Sequence, residues 1–431
     1  MKPGARLQAA IEVLTDIAER HRPAADALAD WGKSHRFAGS GDRGAIGNLV
    51  YDALRRRQSL AARMGSDSSR ALVLATAART YAMTTEALVA AADGTAHTLA
   101  ALSYDERQAL DRPLDPSLPD HVKGDYPEWL GPSFARAFGS RAAEEGAALA
   151  QRAPVDLRVN TLKAVRDKVL KALSRFDAVA TRLSPVGIRI PAPEGPGRTP
   201  NVEVEPGHGK GWFEVQDEGS QLAALMCRAG PRQQVLDLCA GAGGKTLALA
   251  AAMQNTGQIY AYDSNRQQLR PIFERLKRAG CRNAQVLDAG DDAALLALGP
   301  RFDVVLVDAP CTGSGVWRRR PDAKWRVKPA NLAERQADQR RVLELAARCV
   351  KPGGRLVYAT CSVLPEENTD TIAWLLGAHP EMTVTPFAEA WTAAFETPPP
   401  VSADGRTDSL LLTPASHDTD GFFLASLKRA V

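Results

Sequence analysis

The chain is poor in the residues that staple or anchor a fold. It has six cysteines in 431 residues, at positions 227, 239, 281, 311, 349 and 361. No two stand as C-x-x-C, which excludes the usual zinc and thioredoxin-like spacings, so no metal is expected. A chain of this length needs no disulfide staples, and its thiols are expected to be reduced in a cytoplasm. No apolar run reaches the roughly 18 residues that span a bilayer. The opening MKPGARLQAAIEV lacks the apolar centre of a signal peptide, so no membrane partner is expected. No internal repeat is present. An excess of one charge is missing as well: the formal net charge is only +4. Any argument for a nucleic-acid partner must therefore rest on local clustering.

What remains is a globular composition, 45% hydrophobic and 24% charged. At about 150 residues per domain the length calls for two or three domains. Residues 1 to about 110 read as all-helical. Leu7, Ile11, Leu14 and Ala18 recur at helical spacing, as do Ile46, Leu49, Val50, Ala53 and Leu54. The run Arg55-Arg56-Arg57 is either a solvated helix face or a handle for phosphates. Pro113, Pro116, Pro119, Pro127 and Pro132 then mark an extended connector. A short helix is expected over Pro132–Gln151. The boundaries drawn are 1–130 for the helical domain and its linker, 131–215 for a small α+β module, and 216–431 for an α/β domain. The module rests on strands at VDLRVN, GIRI and GWFEVQ and a helix over Lys163–Leu173. Its loop PAPEGPGRTP is turn chemistry.

From residue 216 strands and helices alternate. Strands are expected at VLDLC (235–239), QIYAYD (258–263), AQVLD (284–288), DVVLVD (303–308) and RLVYAT (355–360). That alternation argues for a doubly wound parallel sheet. SLLLTP and GFFLASLK follow without a long helix and are expected as an antiparallel edge hairpin.

VLDLCAGAGGKT is a strand, a glycine loop and a helix start. Gly241, Gly243 and Gly244 allow a tight turn and close approach of a ligand to the backbone. The GGKT end invites a phosphate-loop reading. That motif needs glycine five residues before the Gly of GKT, and Cys239 stands there. The run G-A-G-G-K-T also breaks the fuller dinucleotide fingerprint. Asp263, ending the second strand 22 residues after Gly241, is placed for ribose hydroxyls, and Asp288 for an adenine edge. Together these features favour S-adenosylmethionine.

Two thiols sit at strand ends. Cys311 follows Asp308-Ala309-Pro310, and Cys361 follows Thr360. A shared rim would suit methylation at carbon 5 of a pyrimidine. That carbon is too weak a nucleophile alone, whereas a thiolate adding at carbon 6 activates it. Asp308 is then placed to stabilise the adduct.

With these motifs, and with RVNTLK, VQDEGSQL, DAPCTGSG and YATCS, the chain resembles the RsmB/Nop/Sun family of RNA cytosine-5 methyltransferases. The stretch GDRGAIGNLVYDALR resembles the NusB-like domain joined to such enzymes. The resemblance implies a Rossmann-like class I methyltransferase sheet, an all-helical NusB-like domain and an RNA-binding α+β module. It implies that Cys361 attacks the base and Cys311 assists product release. Cofactor contacts would fall on Cys239, Ala240, Gly241, Ala242, Gly243, Gly244, Lys245, Asp263, Asp288 and Asp308. Ala242 stands where the family usually has proline.

The segment VWRRRPDAKWRVK follows the Cys311 loop. It carries Trp317, Arg318, Arg319, Arg320, Lys324, Trp325 and Arg326, a pairing of cations with aromatics that suits RNA. The expected substrate is small-subunit rRNA, with tRNA or a non-catalytic assembly role as the rivals. A monomer is expected.

Overall fold

Val235, Leu236 and Leu238 are wholly buried, as are Val304 to Val307 and Leu356 to Ala359. Continuous apolar runs of this length are what strands covered on both faces require. In the computed structural model, which describes residues 1–431, they form the centre of an eight-stranded sheet. Twelve strands occur in all. Four belong to a separate sheet: β1 (Val155–Val159), β2 (Val179–Ala180), β3 (Gly187–Ile190) and β4 (Phe213–Val215), in the order β2-β3-β1-β4 with every pairing antiparallel. The large sheet holds β5 (Gln234–Leu238), β6 (Gln258–Tyr262), β7 (Ala284–Val286), β8 (Phe302–Asp308), β9 (Val350–Thr360), β10 (Met382–Thr385), β11 (Leu410–Leu412) and β12 (Phe422–Arg429).

The order is β10-β12-β9-β8-β5-β6-β7, with β11 paired to β12. Strands β5 to β9 are parallel and joined through helices. The last two strands do pair antiparallel with each other, but only β11 of the two lies at an edge. Strand β12 lies inside the sheet, bonded to β9 along six residues, and β10 closes that side. The apolar run Phe422 to Leu427 is buried throughout, which an edge strand would not need.

The chain forms two compact units, and they do not divide at 130 and 215. One comprises 1–153 with 192–199 and 317–327; the other comprises 154–191, 200–316 and 328–431. No helix in either is long and apolar enough to cross a membrane.

The helical unit is built around Ser69–Thr80. Its residues Ala71 to Ala77 are buried without interruption, because small side chains let neighbours close on every face. Helix Pro3–Arg20 buries Leu7, Ala10, Val13 and Leu14, while Ala18 is exposed, so its apolar stripe is turned from the expected one. The stretch 131–149 holds two helices, Gly131–Phe138 and Ala142–Leu149, and both join this unit.

The basic segment departs most from expectation. Trp317, Arg318 and Lys324 are 2%, 3% and 1% exposed, inside the helical unit rather than on a surface. The cause is a helix end. Helix Ser40–Arg55 stops at Arg56, leaving terminal carbonyls without partners in the helix. Lys324 Nζ donates to the Arg55 carbonyl at 2.7 Å and Trp325 Nε1 to that of Leu54 at 2.6 Å. Arg55 donates in return to the Arg318 carbonyl at 2.9 Å. Burial pushes the Lys324 amine down to about 7, although Asp125 opposes this. Trp317 stacks on Phe134, which stacks on Tyr126. Replacing Trp317 by alanine is expected to cost about 3–5 kcal/mol of stability, the range for deleting a buried aromatic. Equilibrium denaturation would read this, and a change under 1 kcal/mol would contradict the packing role.

Candidate active site

The order of the parallel strands reverses between β5 and β8. From β5 the chain first builds outward to β6 and β7, then returns to add β8 and β9 on the other side. Open α/β sheets bind ligands beyond the carboxyl ends of strands at such a switch point. Register brings the ends together: Leu238 pairs with Val307 and with Tyr262, and Asp308 with Ala359. Cys239, Asp263, Asp308 and Cys361 therefore leave one rim.

The glycine loop is held by arginines. Arg275 donates to the Ala242 carbonyl at 2.9 Å, and the buried Arg158 to that of Gly244 at 2.7 Å. Glu214 sits between the arginines: it accepts from Arg275 and Arg278, and those partners hold its carboxyl low despite burial. The loop is thus fixed from outside. Gly243 has a φ of +82°, and a Cβ there would lie 2.4 Å from Ile272 Cγ1. Its missing Cβ allows close packing against helix Ile272–Ala279.

A cavity of about 420 Å³ opens beside the loop. It is lined by Cys239, Ala240, Gly241, Ala242, Gly244, Lys245, Asp263 and Asp308, but not by Gly243 or Asp288. Asp288 is exposed, beyond the short strand β7 that stops at Val286. Asp263 accepts from the backbone N–H of Gly241 at 2.8 Å and of Asn265 at 2.7 Å, which fixes its carboxylate at the cavity wall. Lys245 meets Asp308 at 2.5 Å. Burial, then the nearby Asp263, Asp308 and Asp237, keep the Cys239 thiol protonated. The lining also includes Ser264, Asn265, Gln268, Arg335, Asp338 and Arg341. These went unnoticed in the sequence. The first three follow Asp263 directly and were open to inference; the others come from a long helix, Pro329–Cys349, with no motif of its own.

The sulfurs of Cys311 and Cys361 are 3.4 Å apart, and both thiols are free. The hydrogen bond to Cys361, and then burial, push the Cys311 thiol well above its ordinary range. Either sulfur can be the donor in this contact. Their loops are joined by Glu367, a residue that sequence reasoning missed. Its carboxylate accepts from Thr312 N at 2.7 Å, Thr312 Oγ1 at 2.6 Å, Ser362 Oγ at 2.5 Å and Gln339 Nε2 at 3.2 Å. Burial raises its carboxyl pKa against those four donors. Gly315 N also donates to the Cys361 carbonyl at 2.9 Å.

Of the basic segment, Arg319, Arg320 and Arg326 are exposed. Trp317, Arg318 and Lys324 are buried in the packing described above, and Trp325, which is partly buried, gives its ring N–H to the Leu54 carbonyl.

The profile of the 16S rRNA methyltransferase RsmB/F family matches residues 224–428, and that of the RsmF/B-like ferredoxin-like domain matches 126–195. A probable ribosomal RNA small subunit methyltransferase B from Synechocystis is 33% identical over 316 residues, 71% of this chain and 67% of that protein. The ribosomal RNA small subunit methyltransferase B of Sodalis glossinidius is 37% identical over 286 residues, 65% of this chain and 64% of that protein. The matches thus span about two thirds of these relatives' lengths. The crystal structure of PH0851 superposes with a TM-score of 0.73 at 27% identity, covering 100% of both chains. The fold is that of a Rossmann-class methyltransferase. The chain belongs to the RsmB/F family of 16S rRNA methyltransferases.

Beneath the cavity, Asp237 is wholly buried on β5. Thr246 Oγ1 donates to its Oδ2 at 2.6 Å, while Oδ1 has no partner. Burial pushes this carboxyl up from 3.8 to about 6, opposed by Thr246 and Lys245 and reinforced by Asp308 and Asp263. A folded-state value above the unfolded one means that this group's contribution is fully present below about pH 4 and lost as pH rises through about 6. Asp237→Asn keeps an acceptor for Thr246. It is expected to flatten stability across that window and to exceed the parent at pH 7 by on the order of 2 kcal/mol. Urea titrations at pH 4, 5, 6 and 7 would measure this; an unchanged pH slope would contradict it.

Proposed function

We propose that this protein transfers a methyl group from S-adenosylmethionine to carbon 5 of a cytosine in small-subunit rRNA. The observation that carries the reading is the thiol pair. Cys311 and Cys361 stand on adjacent strand ends, sulfurs 3.4 Å apart, at the rim that also holds the glycine-loop cavity. The cavity suits the cofactor. Gly241 and Gly244 turn bare Cα atoms where added Cβ groups would meet nothing closer than 4.0 and 3.5 Å, leaving room against the backbone. The Asp263 carboxylate suits ribose hydroxyls. When bound, S-adenosylmethionine supplies an electrophilic methyl carbon.

The protein's own groups do the rest. Cys361 Sγ adds to carbon 6 of an unpaired or flipped cytosine, its proton passing to solvent. Negative charge builds on the ring. Lys245, held by Asp308 at 2.5 Å, is a cation on the cavity wall to offset it, and Asp308 can accept from the base's amino group. Carbon 5 is then nucleophilic and takes the methyl. Once Cys361 is bonded to carbon its thiol and charge no longer act on Cys311, which removes part of what raises the Cys311 thiol. Cys311 can now ionise and remove the carbon-5 proton. The 5,6 double bond re-forms and the C–S bond breaks, returning its electron pair to Cys361.

Cys361→Ala is expected to abolish turnover while leaving cofactor affinity within about twofold, since uncharged truncation touches no cofactor-loop residue. Cys311→Ala should still attack but stall, giving a denaturant-resistant protein–RNA complex that carries labelled methyl. Gel analysis with labelled cofactor would separate these. Turnover by Cys361→Ala, or no adduct with Cys311→Ala, would overturn the two-thiol scheme.

A further inference from the structure

The helical unit contains a second cavity, of about 440 Å³, that shares no residue with the one beside the glycine loop. Four arginines line it. Arg55 and Arg56 stand at the break between helices Ser40–Arg55 and Arg57–Met64. Arg79 is in the last turn of Ser69–Thr80, and Arg152 follows helix Ala142–Leu149. The loop 192–195 completes the lining.

Two of the four are committed to structure. Arg152 grips Asp52 with two nitrogens, at 3.0 and 2.5 Å, and Arg55 reaches the same carboxylate at 2.9 Å. The Tyr81 hydroxyl donates to it as well, at 3.0 Å. Arg152 also donates to the Pro193 carbonyl at 3.1 Å, and Asn48 to that of Gly197 at 3.0 Å, which pins the loop. One buried carboxylate thus anchors a rigid basic wall.

The other two lack a carboxylate. Arg56 donates to the neutral Gln151 Oε1 at 2.7 Å, and Arg79 is exposed. Burial disfavours the charged form of Arg56, and Arg79 adds repulsion. Glu194, the only other carboxylate of the lining, is solvent-exposed. A further observation points to a missing acceptor. Thr80 belongs to the lining, and its Oγ1 is buried without a hydrogen-bond partner. Asp125 and Asp52 act on Arg56 only through space, so two guanidinium groups with no directly bonded carboxylate face an open cavity, which is the chemistry of an oxyanion site.

We propose that this cavity binds backbone phosphates of the RNA substrate, giving a contact remote in sequence from the thiols. The proposal rests on the rRNA reading above. A free phosphate would need one guanidinium clamp. Arginines drawn from three separate stretches around an open cavity suit successive phosphates of a chain instead. Such contacts set register and affinity but carry no base specificity.

The test uses the full-length protein, a transcribed small-subunit rRNA fragment and a potassium chloride series. Arg79→Ala is the first variant, because an exposed side chain can be removed without loss of packing. Arg56→Gln/Arg79→Ala is the second, with thermal melting to check the fold. Each arginine lost is expected to weaken binding about 3- to 10-fold at low salt and to reduce the log K against log salt slope by about 0.7–0.9. Affinity for S-adenosylmethionine should not change. Identical RNA affinity and slope in Arg79→Ala and parent would overturn the site while leaving the rRNA reading intact. A parent protein with no affinity for RNA would overturn both. Stabilisation of the parent but not the variants by inorganic phosphate, with RNA affinity unmoved, would mark a small-anion site and reject the proposal.

Discussion

The carboxylate of Glu367 joins the two loops that carry the thiols. Each loop leaves a different strand, and nothing in strand pairing fixes the sulfurs at 3.4 Å once the backbones have turned away. Glu367 does so by accepting from Thr312, next to Cys311, and from Ser362, next to Cys361. Ser314 and Ser362 add a direct bond at 2.9 Å, and Gln339 ties Glu367 to the Pro310 carbonyl. A charge-capable group with four donors in a buried site is costly to disturb, because each donor loses its partner at once. The cysteines are therefore held by a polar network behind them, and reactivity is left to the sulfurs.

The glycine loop follows the same logic with opposite charges. The loop has no proline to stiffen it, and the stiffness is supplied by Arg275 and Arg158 bonding the carbonyls of Ala242 and Gly244. Glu214 on β4 neutralises the arginines, so the small antiparallel sheet helps to shape the cavity. A fixed backbone costs a ligand less ordering than a loose one.

Strands β5, β6, β8 and β9 were legible because each carries a short, largely buried apolar run, whereas the partly buried β7 was legible only from its place in the alternation. The internal position of β12 was not. Pairing order depends on what covers the strand faces, and an eight-residue run reads alike at an edge or inside. The loop geometry around Gly241 was legible from glycine spacing, but Gly243 and Asp288 were not separable from true lining residues by spacing alone. Glu367 was hidden because only burial distinguishes it from Glu366 beside it. The basic segment misled for a related reason. Cations and tryptophans in alternation suit RNA, yet they equally suit a helix end with carbonyls to satisfy, and Lys324 and Trp325 serve that end. The run Arg55-Arg56-Arg57 left a solvated face and a phosphate handle both open, and only the helix break, which turns two of the three into a cavity wall, separates them.

The most direct measurement of the central claim is transfer of labelled methyl from S-adenosylmethionine to unmodified small-subunit rRNA, followed by nucleoside analysis. The account predicts label in 5-methylcytidine and in no other nucleoside. Label confined to a different nucleoside, or to a ribose hydroxyl, would contradict it, because neither chemistry has use for two thiols in contact.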